Sequence, residues 1–177
     1  MKNRVLLVLS FITIFLQSCN FHTPENYFGR TTLNTNKFRQ LGKRDFNEMR
    51  ASKKANMLKI YKDDAFVDTD NYEEYVRYSK IKGIEEDIEK IKELKVTDDT
   101  EAMINASLEV FTYVKSIYEN EYIEICKLMD TNATDEKIET AIQDLEQKLV
   151  EYDAKMEKLM EVAVPYAESN GIKVQYY

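Results

Sequence analysis

The sequence is poor in the residues that most often carry chemistry. Its 177 residues include one histidine, two cysteines and no tryptophan. With His22 alone, the paired-histidine ligands of zinc and di-iron sites, a haem attachment motif, and Ser-His or Cys-His nucleophile systems are excluded. Only Cys19 and Cys126 are available for thiol chemistry, and Cys126 sits in a strongly helical segment as a small apolar filler. Four glycines and two prolines leave few places where a helix must break. Carboxylates are plentiful, but on amphipathic helices they form the solvated face, and a slim bundle lacks the cleft that two convergent acids need. The acidic stretch DDAFVDTDNYEE lacks the glycine and the ligand spacing of a calcium loop and reads as a solvated turn. No catalytic residue, no metal ligand and no cofactor is expected.

Long apolar runs are also scarce, and the one present is informative. Lys2 and Arg4 precede Val5 to Leu16, twelve residues interrupted only by Ser10 and Thr13. A membrane span needs about 20 apolar residues, so this run is too short. A positive start, a short apolar middle and a small residue before the cut read as an export signal over residues 1–18. Leu16-Gln17-Ser18-Cys19 resembles the lipobox of bacterial lipoproteins. The resemblance implies cleavage before Cys19 and a diacylglycerol on its thiol. Several buried alkyl chains, each CH₂ contributing about 0.8 kcal/mol, would hold such a protein at a membrane. With Cys19 lipidated, no intramolecular disulfide is possible, and packing alone must stabilise the fold.

Residues 19–36, with Pro24, Gly29 and a cluster of Thr and Asn, read as a tether. Neither an aspartate nor an acidic run follows Cys19, which favours the periplasmic face of the outer membrane over the inner membrane or surface display. Residues 37–177 read as one helical domain.

The fold class is all-α, an antiparallel helix bundle. In its last element Ile138, Ile142, Leu145, Leu149, Tyr152, Met156, Leu159, Ala163 and Tyr166 recur at steps of three and four. Thr134 is a natural N-cap, and Pro165 with Asn170-Gly171 is expected to end the helix. The preceding element, 99–129, carries Met103, Ala106, Val110, Val114, Ile117, Ile125 and Leu128 on one stripe. The short link DTNAT makes these two antiparallel neighbours. Ile81, Ile84, Ile88, Ile91 and Leu94 mark a third long helix. A basic first helix within 37–62, using Phe38, Leu41, Met49, Leu58 and Tyr61 with Gly42 as its weak point, would complete a four-helix bundle.

Charge is unevenly divided. Residues 20–62 hold ten Lys or Arg against three acids, a net of +7, whereas residues 63–177 net −16. A basic segment near a lipid anchor could touch anionic lipid; the preferred reading is that it packs across the acidic remainder. Nucleic acid is a poor partner for so acidic a chain.

Glu121 interrupts the second stripe, four residues after Ile117 and four before Ile125, flanked by Tyr118 and Tyr122. Its carboxylate either exits at the bundle edge, pairs with a Lys or Tyr hydroxyl, or lines a small polar pocket. Pairing is preferred; the pocket, with Glu121, Tyr118 and Tyr122, is the one candidate binding site.

The block EVFTYVKSIYENEYIEICKLMD, followed by a heptad helix and AVPYAESNGIKVQYY, resembles a family of small helical lipoproteins and surface proteins of Gram-negative bacteria. The resemblance spans residues 70–177 and implies a four-helix bundle in the cell envelope without catalytic residues. The expected function is therefore an anchored, non-catalytic module that binds or scaffolds an envelope protein or polymer. A small-ligand carrier with a pocket near Glu121 is the alternative. The oligomeric state is left open.

Overall fold

The computed structural model describes residues 22–174. The export signal and Cys19 lie outside them. Most of the described chain is helical, and a two-stranded hairpin is the only sheet among the described residues. Three long helices run antiparallel in sequence: α3 over 72–92, α4 over 101–130 and α5 over Asp135–Ser169. Two short ones precede them, α1 (Pro24–Thr31) and α2 (Lys43–Lys54).

α5 follows from its heptad pattern. Thr134 Oγ1 accepts the Lys137 N–H, Asp135 and Glu136 occupy the first turn, and Ile138, Ile142, Leu145, Leu159, Ala163 and Ala167 are buried. Thirty-five residues make a rod of about 52 Å. The helix does not stop at Pro165, contrary to the sequence expectation, but runs through it to Ser169. Proline removes one hydrogen bond. The burial of Ala163 and Ala167 and the packing of Tyr166 on Tyr27 hold the last turn in place. Gly171, at φ +70°, then ends it: its N–H reaches the Glu168 carbonyl and that of Ile172 reaches Ala167. Asn56 after α2 and Asn132 after α4 close their helices with the same pair of bonds.

Both α3 and α4 contain a wide π-helical turn, Val76–Ile81 and Tyr118–Tyr122, and the two turns pack against each other. Along α4 the extra residue advances the buried face. From Tyr122, the last residue of the turn, onward the buried residues are Tyr122, Ile123, Ile125, Cys126 and Met129, and Glu121 falls outside that set.

The N-terminal third departs most from expectation. From residue 22 on, the expected tether is folded. Thr23 caps α1, Pro24 takes its first position, and Tyr27 and Phe28 enter the core. Thr31, Thr32 and Thr35, which read as polar loop, are buried. Thr31 Oγ1 donates to the Tyr27 carbonyl and Thr35 Oγ1 to that of Thr32, so their hydroxyls carry no desolvation penalty. An eight-residue helix is too short to show a period.

The single first helix expected within 37–62 is replaced by a 3₁₀ turn (Leu33–Phe38), α2, and a hairpin of β1 (Lys59–Lys62) and β2 (Ala65–Asp68). The break is at Gly42, whose φ is +90° and whose backbone passes so close to α5 that a Cβ there would stand 2.9 Å from Glu146 Oε1.

Distant carboxylates cap two of the helices. Glu146 of α5 accepts the Lys43 N–H at 3.0 Å at the start of α2, and Asp130 accepts those of Tyr72 and Glu73 at 2.9 and 3.0 Å at the start of α3. The basic segment also lies across the acidic remainder through Arg30–Glu93, Lys37–Asp87, Lys43–Glu139 and Arg50–Glu139. Apart from Lys37–Asp87, whose carboxylate is buried, these are partly or fully exposed pairs that contribute about 0–1 kcal/mol each, so they orient the segment more than they stabilise it.

Candidate functional site

The three residues singled out in α4 are not brought together. Glu121 leaves the core on the side facing α5, where its carboxylate pairs with the Lys148 ammonium. Hydrogen bonding to Glu121 raises the Lys148 pKa. Beside it lies a shallow groove of about 570 Å³ whose floor includes Ile125, Leu128 and Leu145. Tyr118 and Tyr122 point the other way, toward α2 and the hydrophobic centre.

Tyr122 is fully buried and stacks on Phe46 at 4.5 Å between ring centroids, while its hydroxyl accepts the Gly42 N–H at 2.8 Å. Tyr118 meets Tyr122 edge-on at 4.7 Å. Burial, followed by the nearby Asp45 carboxylate, pushes both phenols well above the ordinary tyrosine range. These tyrosines therefore act as core aromatics. Asp45, itself buried, is held by Lys80 Nζ at 2.9 and 3.1 Å. This is a satisfied ion pair.

Cys126 is fully buried, and burial drives its thiol pKa up, away from the reactive thiolate. Among the described residues, no group of three His, Cys, Asp or Glu side chains is placed to hold a metal ion.

A different site was missed by the sequence reading. KIYK buries Ile60 between exposed Lys59 and Tyr61, AFVD is exposed throughout, and the two flank Asp63-Asp64, which adopt φ of +52° and +61° and close a two-residue hairpin turn. Aspartate tolerates that left-handed geometry. β-branched and aromatic residues on both sides of an Asp-Asp pair were the available signal, obscured because the same residues fit the end of a helix. The acids of this stretch do not converge: Asp68 faces Lys59, Glu73 pairs with Arg77, and Glu74 with Lys62 and Thr69.

The hairpin leans on α3 through Ser79, whose hydroxyl donates to the Lys59 carbonyl at 3.3 Å. Between them lies a groove of about 470 Å³ lined by Lys59, Tyr61, Phe66, Tyr78, Lys82 and Gly83, among others. Phe66 is 77 % exposed and meets Tyr61 edge-on at 5.2 Å. Lys82 Nζ lies 5.7 Å from the Tyr61 ring centre. Met57, Tyr61, Phe66 and Val67 together make the hairpin region the main concentration of exposed large apolar side chains among the described residues.

No family model matches the chain, and neither does any curated protein or solved structure.

Proposed function

We propose that this protein is a lipid-anchored, non-catalytic binding or scaffolding module of the bacterial cell envelope, held at the outer membrane through Cys19. The observation that carries the binding role is the cross-strand pair Tyr61 and Phe66, which meet edge-on on one face of the hairpin with Phe66 77 % exposed. Apolar side chains gathered in one patch mark interaction surfaces, whereas scattered ones need no explanation. The anchoring role draws on the leader and the Leu16-Gln17-Ser18-Cys19 motif. No helix among the described residues is long and apolar enough to cross a membrane, so attachment in this reading rests on the lipid. We read the helices as an antiparallel bundle in which α2, packed on α5, takes part of the fourth position.

The alternative, a small-ligand carrier at Glu121, has less support. Its carboxylate is paired with Lys148, and its two tyrosines are committed to the core.

The geometry also favours an orientation. Thr23 starts α1 four residues after Cys19, which limits the span between lipid and fold to about 14 Å. The α1 end, where the Tyr27 hydroxyl donates to the Lys95 carbonyl, faces the bilayer in this reading. The hairpin lies against α3 at Ser79, 13 residues and roughly 20 Å before the Lys92 end of that helix.

The test is metabolic labelling with a clickable fatty acid, followed by membrane fractionation and crosslinking from Phe66 in cells. Label and membrane association are expected in the wild type and lost in Cys19→Ala, with a discrete crosslinked product only in the anchored form. A labelled or membrane-bound Cys19→Ala variant overturns the anchor; absence of any product overturns the scaffold.

A further inference from the structure

We propose that the free edge of β2 takes up an extended strand of a partner protein, one whose aromatic residue is flanked by cations. The proposal deepens the binding reading above and rests on it.

The hairpin has one closed edge and one open edge. Lys59 of β1 turns its carbonyl away from β2, and Ser79 of α3 donates to it there, so α3 covers that edge. β2 pairs with β1 alone among the described residues, and all four of its residues are exposed. The Thr69 N–H donates to the Leu58 carbonyl, which makes Ile60–Val67 and Lys62–Ala65 the hydrogen-bonded pairs of the same ladder. The N–H and C=O groups of Phe66 and Asp68 therefore point outward, on the side of β2 remote from α3. An open edge is a template for another chain, and folded proteins blunt it with short strands and charge. β2 is short and carries charge, yet at its centre Phe66, 77 % exposed, and the exposed Val67 stand on opposite faces.

Charge selects the occupant. The run from Asp63 to Asp70 contains four carboxylates and no cation. Asp68 faces Lys59 at 3.6 Å, with both side chains well exposed. Asp63, Asp64 and Asp70 have no Lys or Arg nitrogen within ion-pair distance among the described residues. A second copy is therefore a poor fit. With Phe66 opposite Phe66, Asp64 faces Asp68 of that copy; with Val67 opposite Val67, it faces Asp70. Like charges directly opposite one another work against pairing.

A cationic strand meets no such obstacle. Read from its N-terminus in antiparallel register, it sets Lys or Arg opposite Asp68, a branched residue opposite Val67 and an aromatic opposite Phe66. Two residues on, a second Lys or Arg lies beside Asp64. The main chain of that strand takes up the outward groups of Phe66 and Asp68, as in strand addition.

The experiment uses the full lipidated chain in nanodiscs and a labelled peptide with Arg-Val-Phe-Thr-Lys between Gly-Ser ends, read by fluorescence anisotropy. Saturable binding is expected. It is expected to weaken at least tenfold when both cations become Glu, and likewise when the amide of the central Phe is N-methylated, since that N–H is the one given to the Phe66 carbonyl. N-methylation of the preceding Val amide, which points away from β2, is expected to change affinity less than threefold. Phe66→Pro removes the ring and an N–H that β1 does not use, and is expected to abolish binding at an unchanged thermal melt. Asp63→Asn with Asp64→Asn keeps a turn geometry that Asn tolerates, and is expected to weaken binding at least threefold. Glu121→Gln is expected to leave it unchanged.

No binding up to millimolar concentration overturns the proposal, as do equal binding of the cationic and Glu-flanked peptides, full affinity of the peptide methylated at Phe, or wild-type affinity in Phe66→Pro. Dimerisation abolished by Phe66→Pro assigns the edge to a second copy and overturns it too. A crosslinked product from Phe66 in cells alongside any of these failures leaves the binding reading standing, so the two readings fail separately.

Discussion

Two grooves of similar size lie on opposite sides of the paired π-helical turns. The one beside Glu121 is closed in the chemical sense: its carboxylate has Lys148, and the neighbouring tyrosines are buried behind it. The one beside Gly83 keeps Phe66 in water and leaves Lys82 with only an aromatic face. A polar residue on an apolar stripe thus marked a shift of helical register, whereas the surface with unmet interactions lay in a segment whose pattern looked unremarkable. The informative departures were an exposed apolar residue and a glycine without a packing role.

Truncating each side of this pair gives opposite results if the comparison is sound. Tyr122→Ala removes a fully buried ring and orphans the Gly42 N–H, and is expected to cost about 3–5 kcal/mol in urea unfolding. Phe66→Ala is expected to change stability by less than about 0.5 kcal/mol in the same assay. Equal losses would break the comparison.

Alkaline titration examines the core side without mutation. Because the folded-state pKa values of Tyr118 and Tyr122 are raised, the native state holds protons that the unfolded chain releases above the ordinary tyrosine value of 10.0. Their contribution is complete below that value and declines as pH rises beyond it. Phenolate absorbance from these two rings is expected to appear together with loss of helical circular dichroism, and ionisation within an intact fold would contradict the assignment.

Smaller effects sharpen the groove side. Gly83→Ala is expected to raise stability by about 0.5–1 kcal/mol, since it gains helix propensity and meets no neighbour. Glu121→Gln is expected to cost less than about 1 kcal/mol, since its partner Lys148 is half exposed. A loss of stability in Gly83→Ala would reveal a fold requirement for the glycine.

The three long helices were legible because amphipathic periods sustained over several turns outvote local noise. The Thr134 cap and the Asn170-Gly171 end were legible for a local reason, since their side-chain chemistry is specific to helix ends. α1 was not, because eight residues give no period and its buried threonines are satisfied by carbonyls that no pattern shows. The hairpin was hidden because Leu58 and Tyr61 fit a helical step as well as a strand. Glu121 was read with the right preference, pairing, but placed with Tyr118 and Tyr122, because a uniform 3.6-residue period has no term for an inserted π turn. Pro165 misled because tertiary packing kept the helix going past the missing bond.

The cap that Glu146 provides to Lys43 spans 103 residues, and the one from Asp130 to Tyr72 spans 58. Protein synthesis proceeds at about 5–20 residues per second, so the start of α2 waits roughly 5–20 s before its cap has even been made. The carboxylates of Glu93, Asp87 and Glu139, which meet Arg30, Lys37 and Lys43, are likewise translated later. α4 and α5 can pair as soon as both exist, because a short loop joins them. The portion of the chain that is made first therefore depends for its caps and ion pairs on residues that are made later.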